Sequence, residues 1–234
     1  NGDLKVENVS FSYLESGARH VVSNISFEAH RGETIGIIGQ PGSGKTTLMH
    51  LLPRFYDPSS GSISIDGQDI RSVTLSSLRK AVSIVQQDSF FFTTSIENNL
   101  AYAAPFAKWR QIQGAAESAQ LSEFIIGLPR KYETIVGERG VSLSGGQRQR
   151  LSIARALISK PAILIFDDST AAIDAATENR IRETLKEFSK DCVTLIVAHR
   201  LASLMHADRI LVLNQGRIIE QGSHKDLIKL VGAY

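Results

Sequence analysis

The sequence has little cysteine and little excess charge of either sign. Its 234 residues include one cysteine, Cys192, so no disulfide can form within the chain, and we expect a reducing compartment. The formal net charge is only +2 at pH 7, which leaves no strong field to attract nucleic acid or anionic lipid. We therefore expect no nucleic-acid partner.

Long hydrophobic runs are missing as well. Apolar segments such as 162–166 and 194–198 are far shorter than the roughly 20 residues that a membrane-spanning helix needs. The sequence also has no low-complexity linker, no internal repeat and no secretory pattern at its start. Yet 42% of its residues are hydrophobic, which is enough for a sizeable core. These properties predict one compact unit with lobes in the cytosol.

Two kinds of hydrophobic pattern predict two kinds of strand. Residues 4–13, 25–27 and 62–65 alternate apolar and polar side chains, which is typical of antiparallel strands with one wet face. Continuous apolar runs are instead typical of strands buried on both faces of a parallel sheet. Such runs occupy 33–38, 161–166 and 192–198.

Helical spacing replaces the strand patterns between Thr93 and Leu128, which indicates an inserted helical lobe. Near the end of the sequence, a hairpin is predicted with its turn at 214–216, followed by a short helix from Ser223. Together these patterns predict an α/β fold. It combines a mostly parallel sheet and flanking helices with an antiparallel β subdomain and an inserted α-helical subdomain.

Residues 39–46, Gly-Gln-Pro-Gly-Ser-Gly-Lys-Thr, match the pattern of a phosphate-binding loop and lie between a buried strand and a predicted helix. The glycines let successive backbone N–H groups point inward at a helix start, where an anion is favoured. Lys45 is then expected to reach the β- and γ-phosphates of a nucleotide, and the Thr46 hydroxyl to ligate Mg²⁺. The alternative is a glycine-rich turn with an exposed lysine.

A pair of carboxylates, Asp167 and Asp168, ends the apolar run 162–166. Open α/β sheets bind ligands at the carboxyl ends of their strands, so both side chains are expected at the nucleotide site. The arrangement resembles a Walker B element, in which Asp167 would position Mg²⁺ and Asp168 would hold the attacking water. The alternative is that both residues only cap the following turn.

The segment Leu-Ser-Gly-Gly-Gln at 143–147, with 148–157 after it, resembles the signature motif and helix of ABC ATPases. The resemblance covers nearly the whole chain. It implies a P-loop NTPase core with the β subdomain at 1–87 and 156–234, and a helical subdomain at 88–155 that carries the signature. It also implies that two such domains associate head to tail, with each ATP held between the Walker motifs of one and the signature of the other. A serine-capped helix after a glycine turn would explain the serine alone.

Further residues match the family in order along the chain. The resemblance implies that Tyr13 stacks on adenine and that Gln87, in the Q-loop, contacts Mg²⁺ and the attacking water. It also implies that Asp174 belongs to the D-loop and that His199 contacts the γ-phosphate. In isolation, Tyr13 would be an ordinary strand aromatic, Gln87 a surface residue and His199 a structural histidine.

The resemblance therefore implies three sets of site residues, with ATP and Mg²⁺ as cofactors. The implied nucleotide contacts are Tyr13, Gly39, Gln40, Pro41, Gly42, Ser43, Gly44, Lys45, Thr46 and Thr47. The implied signature contacts to the partner's ATP are Leu143, Ser144, Gly145, Gly146 and Gln147. The implied catalytic residues are Lys45, Gln87, Asp168 and His199, and the implied metal ligands are Thr46, Gln87 and Asp167.

One residue departs from the family pattern. The position after the Walker B aspartate is usually Glu, whereas this sequence has Asp168, whose carboxylate is retracted by one methylene. Because a misplacement of about 1 Å can cost about 10²-fold in rate, we expect slow hydrolysis at this chain's own Walker site. Beside an intact signature, this substitution is similar to the degenerate-site subunit of heterodimeric ABC exporters, which implies a different subunit as partner. The alternative is that Asp168 works adequately through a water.

The segment 132–140, with Glu138, resembles the exporter pattern that contacts cytoplasmic loops of the membrane domains. The start at Asn1, directly before the first strand, also suggests a domain whose transmembrane part lies upstream in a longer protein. We therefore expect the chain at the cytoplasmic face of the cell membrane, as the ATP-hydrolysing motor of an exporter. The alternatives are an ATP-dependent regulatory clamp and a soluble ABC ATPase that is not coupled to transport.

Overall fold

The computed structural model describes residues 2–13, 20–86, 89–137, 143–167, 186, 188–198, 201–230 and 232–234. No helix in these ranges combines the length and the apolar character that crossing a membrane requires. The chain divides into two compact units. The first comprises Asn1–Val82, Ala162–Asp167 and Ser189–Tyr234, and the second comprises Ser83–Pro161 and Asp168–Phe188.

The described residues form strands and helices in mixed order. The strands are β1 (Leu4–Phe11), β2 (Val22–Ala29), β3 (Thr34–Gly39), β4 (Ser60–Ile65), β5 (Gln68–Asp69), β6 (Val82–Val85), β7 (Ile163–Asp167), β8 (Val193–Val197), β9 (Arg209–Asn214) and β10 (Arg217–Gly222). The helices are α1 (Lys45–Leu51), α2 (Leu75–Ala81), α3 (Ile96–Ala101), α4 (Trp109–Ser118), α5 (Ser122–Ile126), α6 (Gly145–Leu157) and α7 (His224–Leu227). Short 3-10 helices cover Lys131–Glu133 and Leu201–Ser203.

A four-stranded antiparallel sheet in the first unit has the order β2-β1-β4-β5. In β2 the apolar side chains Ile25, Phe27 and Ala29 are buried, while Ser26 and Glu28 between them are exposed. This alternation follows from the period of two in the sequence, since successive side chains of a strand point to opposite faces. The predicted antiparallel strands are confirmed.

The larger sheet is mostly parallel, and the strands that it takes from the first unit lie in the order β10-β9-β3-β8-β7. Strand β3 pairs in parallel with β8 and β9, β7 pairs in parallel with β8, and β10 pairs antiparallel with β9. All of Ile163–Phe166 is buried, as expected for a strand covered on both faces. The predicted α/β class is therefore confirmed.

Helices α3 to α6 belong to the second unit, and α3 to α5 lie within the segment that shows helical spacing. A fully buried amide, Asn99, fixes the segment before α3. Its Oδ1 accepts the Phe92 backbone N–H at 3.0 Å, and its Nδ2 donates to the carbonyls of Phe92 at 3.0 Å and Ser95 at 3.1 Å. Because buried backbone groups need partners, this clamp decides how the segment packs on α3.

Candidate functional site

The predicted phosphate loop connects β3 to α1. Gly42 has φ 78° and Gly44 has φ 100°, a left-handed conformation that side-chain-bearing residues rarely adopt. A Cβ added at Gly44 would lie 2.7 Å from the Val21 carbonyl oxygen, and one at Gly39 would collide with the Leu213 carbonyl. The glycines therefore meet both a conformational and a steric requirement of this loop.

Lys45 is folded over the loop that precedes it. Its Nζ donates hydrogen bonds to the carbonyl oxygens of Gly39 at 2.7 Å and Gln40 at 3.1 Å. The lysine is only 5% exposed, so a glycine-rich turn with an exposed lysine does not describe this segment. The positive charge of Lys45 therefore lies inside the loop, where it could bind an anion such as a phosphate group.

The loop also contains a buried hydroxyl group. The Ser43 hydroxyl is buried and makes no hydrogen bond with any part of the chain that the structure describes. Such a group costs about 1–3 kcal/mol when left unsatisfied. A phosphate oxygen is an acceptor that would satisfy it, so the residues present fit a bound nucleotide.

A turn from a distant part of the chain supports the loop. The backbone N–H of Gly216, between β9 and β10, donates to the Ser43 carbonyl at 3.0 Å. The Gly216 carbonyl accepts from the Ser23 N–H at 2.8 Å, which ties the turn to β2. Sequence reasoning predicted the turn at 214–216 but missed this second role. Gln215 and Gly216 both have positive φ angles, and this turn conformation allows the Gly216 N–H to reach the Ser43 carbonyl.

Asp167 lies at the same edge of the parallel sheet as the phosphate loop. It ends β7 and pairs with Val197 of β8, and Val197 pairs on its other side with Ile37 of β3. Strand β8 therefore separates the strand that leads to the loop from the strand that ends in the carboxylate. This is the carboxyl edge at which open α/β sheets bind ligands.

Thr46 and Asp167 are the described residues that could hold Mg²⁺ here. Thr46 is exposed in the first turn of α1, and Asp167 is half-buried. The described residues contain no group of three His, Cys, Asp or Glu side chains suited to a metal. Mg²⁺ commonly takes only one or two carboxylates from a protein and completes its shell with phosphates and water, so this sparse set fits it.

Tyr13 lies close to the phosphate loop. Its hydroxyl oxygen is 3.0 Å from Thr47 Oγ1, and Thr47 is buried in the first turn of α1. The Tyr13 side chain is 52% exposed. A half-exposed ring beside the loop is the arrangement that a stacked base would need.

The signature segment is built around the start of α6. Ser144 is the N-cap, and its Oγ accepts the Gln147 backbone N–H at 3.3 Å while Gln147 Oε1 accepts the Ser144 N–H at 2.8 Å. This reciprocal pair is a capping box. Leu143 is buried before it, and Gly145 and Gly146 form the first turn.

The family of the chain follows from comparison with known proteins. The family model described as ABC transporter matches residues 22–171, which is more than half of the chain. The chain belongs to the ABC transporter family. The ABC transporter ATP-binding protein YknU of Bacillus subtilis (strain 168) is 46% identical over 233 residues. A putative multidrug export ATP-binding/permease protein of Staphylococcus aureus (strain NCTC 8325 / PS 47) is 45% identical over 233 residues.

A solved structure of a bacterial Atm1-family ABC exporter with ATP bound also resembles this ABC transporter chain. It has a TM-score of 0.94 and 45% sequence identity, and the match covers 99% of this chain and 40% of that one. The two relatives are likewise matched over 100% of this chain and 40% of their own length. The chain thus spans less than half of the proteins that it resembles.

Several predicted residues of the ABC transporter site lie outside the described residues. These are Gln87, Glu138, Asp168, Asp174 and His199. The sequence puts His199 two residues after Val197, and Asp168 directly after Asp167. Their roles stay predictions from the family resemblance.

The sequence did not reveal how the segment after Gln87 is anchored to the signature helix. Ser89 Oγ lies 2.6 Å from Ser152 Oγ, and Arg155 donates to the Phe90 carbonyl at 2.9 Å. The Arg155 guanidinium also lies 4.9 Å from the centre of the Phe91 ring. Burial lowers the pKa of Arg155, although arginine stays protonated. The resemblance to the signature motif predicted a helix at 148–157 but gave no partner for its buried side chains.

Proposed function

We propose that the chain is the ATP-binding and ATP-hydrolysing part of an ABC exporter. The observation that carries the proposal is the phosphate loop, which contains buried Lys45 and lies at the same edge of the sheet as Asp167. The loop also contains the Ser43 hydroxyl, which has no hydrogen-bond partner among the described residues. The relatives support it, because they are described as ATP-binding/permease proteins and as an exporter with ATP bound.

The roles of the residues follow from charge and reach. Lys45 and the loop's backbone N–H groups would bind the phosphates, and Thr46 and Asp167 would hold Mg²⁺, which neutralises developing charge on the phosphoryl oxygens. Gln87 and His199 would complete the contacts to the metal and the γ-phosphate. Asp168 would orient the attacking water. Catalysis of this kind is mainly positioning and electrostatic stabilisation.

A second domain of the same family would complete the site. The Ser144 hydroxyl uses a lone pair to accept the Gln147 N–H, so its own proton remains available to an anion. We propose that this serine and the adjoining glycines bind the ATP held by a partner's phosphate loop. The shorter carboxylate of Asp168 favours a different subunit as partner, one that bears Glu at the matching position.

The remainder of the full-length protein would form the transport pathway. The chain covers 40% of relatives that are named as ATP-binding/permease fusions. The second unit exposes a group of aromatic side chains that a permease part would cover. They are Phe90, Phe92, Tyr102, Phe106 and Trp109. We propose that the domain works at the cytoplasmic face of the membrane.

Phosphate release by Lys45→Ala tests the enzymatic proposal. Loss of the buried charge should lower Mg²⁺-dependent ATP hydrolysis by at least about 100-fold, because the lysine faces developing phosphate charge. Lys80→Ala is the matched control, since Lys80 is exposed on α2 of the same unit. Unchanged hydrolysis in a folded Lys45→Ala protein would contradict the proposal.

A regulatory clamp, the alternative that the sequence left open, is not favoured by the relatives, which are described as export ATP-binding/permease proteins. It predicts ATP binding without meaningful phosphate release, both alone and with the partner. Measuring release from the assembled pair separates the two functions.

A further inference from the structure

The Tyr13 hydroxyl connects two parts of the proposed nucleotide site. It lies 3.0 Å from Thr47 Oγ1, across 34 positions of sequence. Tyr13 is 52% exposed, whereas Thr47 is 6% exposed and follows Thr46 in the first turn of α1. The hydrogen bond therefore joins an accessible ring to the buried side of the helix that begins in the phosphate loop.

Two aromatic neighbours restrict the same ring. The Phe11 ring centre is 4.9 Å from that of Tyr13 at an interplanar angle of 85°, and the Tyr56 ring centre is 5.3 Å away at 89°. Both are edge-to-face contacts, a favourable geometry for aromatic pairs. The hydroxyl bond to Thr47 adds a directional contact to these two ring contacts.

We propose that the Tyr13–Thr47 hydrogen bond couples recognition of the base to recognition of the phosphates. The proposal rests on the proposed function as a nucleotide site and goes beyond stacking, since it gives a role to the hydroxyl. Either hydroxyl can be the donor, and with Tyr13 donating, Thr47 Oγ1 is the acceptor. A threonine hydroxyl has one proton and two lone pairs, so Thr47 can accept from Tyr13 and still donate to a phosphate oxygen.

The bond acts by preparing the ring before the nucleotide arrives. A ring already fixed in its binding orientation loses less conformational freedom when the base stacks on it. Adenine affinity should therefore depend on the hydroxyl as well as on the ring. Binding of a phosphate chain that has no base should not depend on it. Tyr13 is in this sense a positioning residue.

The test compares two ligands in the presence of Mg²⁺: the non-hydrolysable analogue AMP-PNP, which carries adenine, and inorganic tripolyphosphate, which does not. Calorimetric titration gives the Kd of each. Tyr13→Phe keeps the ring and removes one hydrogen bond, so it should bind AMP-PNP about three- to tenfold more weakly. Its Kd for tripolyphosphate should stay within about twofold of wild type, which also shows that the variant is folded.

The matched control is Tyr56→Phe, which removes a hydroxyl from the same aromatic group and keeps the ring contact with Tyr13. Its affinity for AMP-PNP should equal that of wild type. Thr47→Val removes the other end of the bond. In the Thr47→Val background, Tyr13→Phe should have no further effect, because the interaction that it removes is already gone.

Three results would overturn the inference. Tyr13→Phe could bind AMP-PNP as wild type does, it could weaken tripolyphosphate by the same factor, or it could cost the same factor with and without Thr47→Val. Each would leave the proposed function intact, provided that the wild-type protein binds AMP-PNP. A wild-type protein that binds neither ligand would instead refute the proposed function and this inference with it.

Discussion

Gly216 and Gly67 adopt nearly the same backbone conformation in very different surroundings. Their φ angles are 79° and 75°. A Cβ at Gly216 would lie 2.5 Å from the Val21 carbonyl oxygen, whereas one at Gly67 would meet nothing within 4 Å. Comparing substitutions at these two glycines therefore separates two contributions to unfolding free energy: the cost of a left-handed backbone for a residue with a side chain, and the cost of steric crowding beside the phosphate loop.

Alanine at these two glycines should therefore have unequal effects. Gly67→Ala should cost about 1–2 kcal/mol of unfolding free energy, from the left-handed conformation alone. Gly216→Ala should cost a further amount of about 1–3 kcal/mol from overpacking and should weaken ATP binding, because its turn supports Ser43. Urea unfolding and a binding titration measure both quantities. Equal losses in the two variants would show that the crowding is relieved without cost.

The substitution of Asp for Glu after Asp167 leads to a second prediction at the residue scale. In the assembled pair, Asp168→Glu should raise the rate of ATP hydrolysis by about 10- to 100-fold at this chain's own site, because it extends the carboxylate toward the water. Ser144→Ala in the same pair should reduce turnover at the partner's site instead. Phosphate release from a purified pair checks both, and an unchanged rate for Asp168→Glu argues against a degenerate site.

At the scale of elements, the Asn99 amide makes a set of hydrogen bonds to the segment before α3. Asn99→Ala would leave the partly buried Phe92 N–H without its side-chain partner and would remove one of the hydrogen bonds to the Phe92 carbonyl, which also accepts the Thr94 N–H. We expect a loss of about 2–4 kcal/mol in unfolding free energy, as for other buried groups left unsatisfied. Faster hydrogen exchange at the Phe92 amide should accompany it.

The neighbouring residue provides the control for Asn99. Asn98 is an exposed asparagine on the same helix, and its side chain donates to Thr94 Oγ1 at 3.0 Å. Asn98→Ala should change stability by no more than about 0.5 kcal/mol, because water replaces the lost bond. Similar losses for both variants would mean that the amide clamp contributes little.

The elements that could be predicted from sequence are those set by local pattern. Alternating residues in β2 and the apolar run of β7 fix which faces are buried, and the residues flanking the hairpin turn fix its position. Contacts between distant segments could not be predicted. The support of Ser43 by Gly216 and the bond between Tyr13 and Thr47 depend on how the sheets pack, which no single stretch of sequence records.

For the candidate site, the positions of motif residues could be predicted from the sequence, but their side-chain contacts could not. Lys45 and Asp167 were recognisable because their positions next to a strand end follow from motif and topology. The burial of Lys45 against the carbonyls of Gly39 and Gln40 was not expected, since a long charged side chain is usually exposed. Its depth follows from the left-handed turns at the glycines, a property of the folded loop.

At the scale of the whole molecule, the proposed head-to-tail assembly can be trapped by cross-linking. Pro41 and Ser144 are both exposed, and Cys192 is fully buried, with burial raising the pKa of its thiol, so the native cysteine should not interfere. In the assembled pair, Ser144→Cys in this chain and a cysteine in the partner domain's phosphate loop, at the position that matches Pro41, should form a disulfide-linked dimer under oxidising conditions when Mg²⁺ and AMP-PNP saturate the sites. Either cysteine alone is the control. If no cross-link forms in the assembled complex with bound nucleotide, the two surfaces do not meet.

The capping box at Ser144 affects how easily the two domains of the proposed assembly could associate and separate in each cycle. Ser144 and Gln147 already satisfy each other's backbone N–H groups at the start of α6 within one chain. A helix start that is ordered in advance loses little conformational entropy when it meets the partner domain, so affinity can come mainly from the nucleotide bound between them. When the terminal phosphate leaves, little else would hold the two surfaces together. An interface of this kind would form when ATP binds and separate after hydrolysis, as repeated transport cycles require.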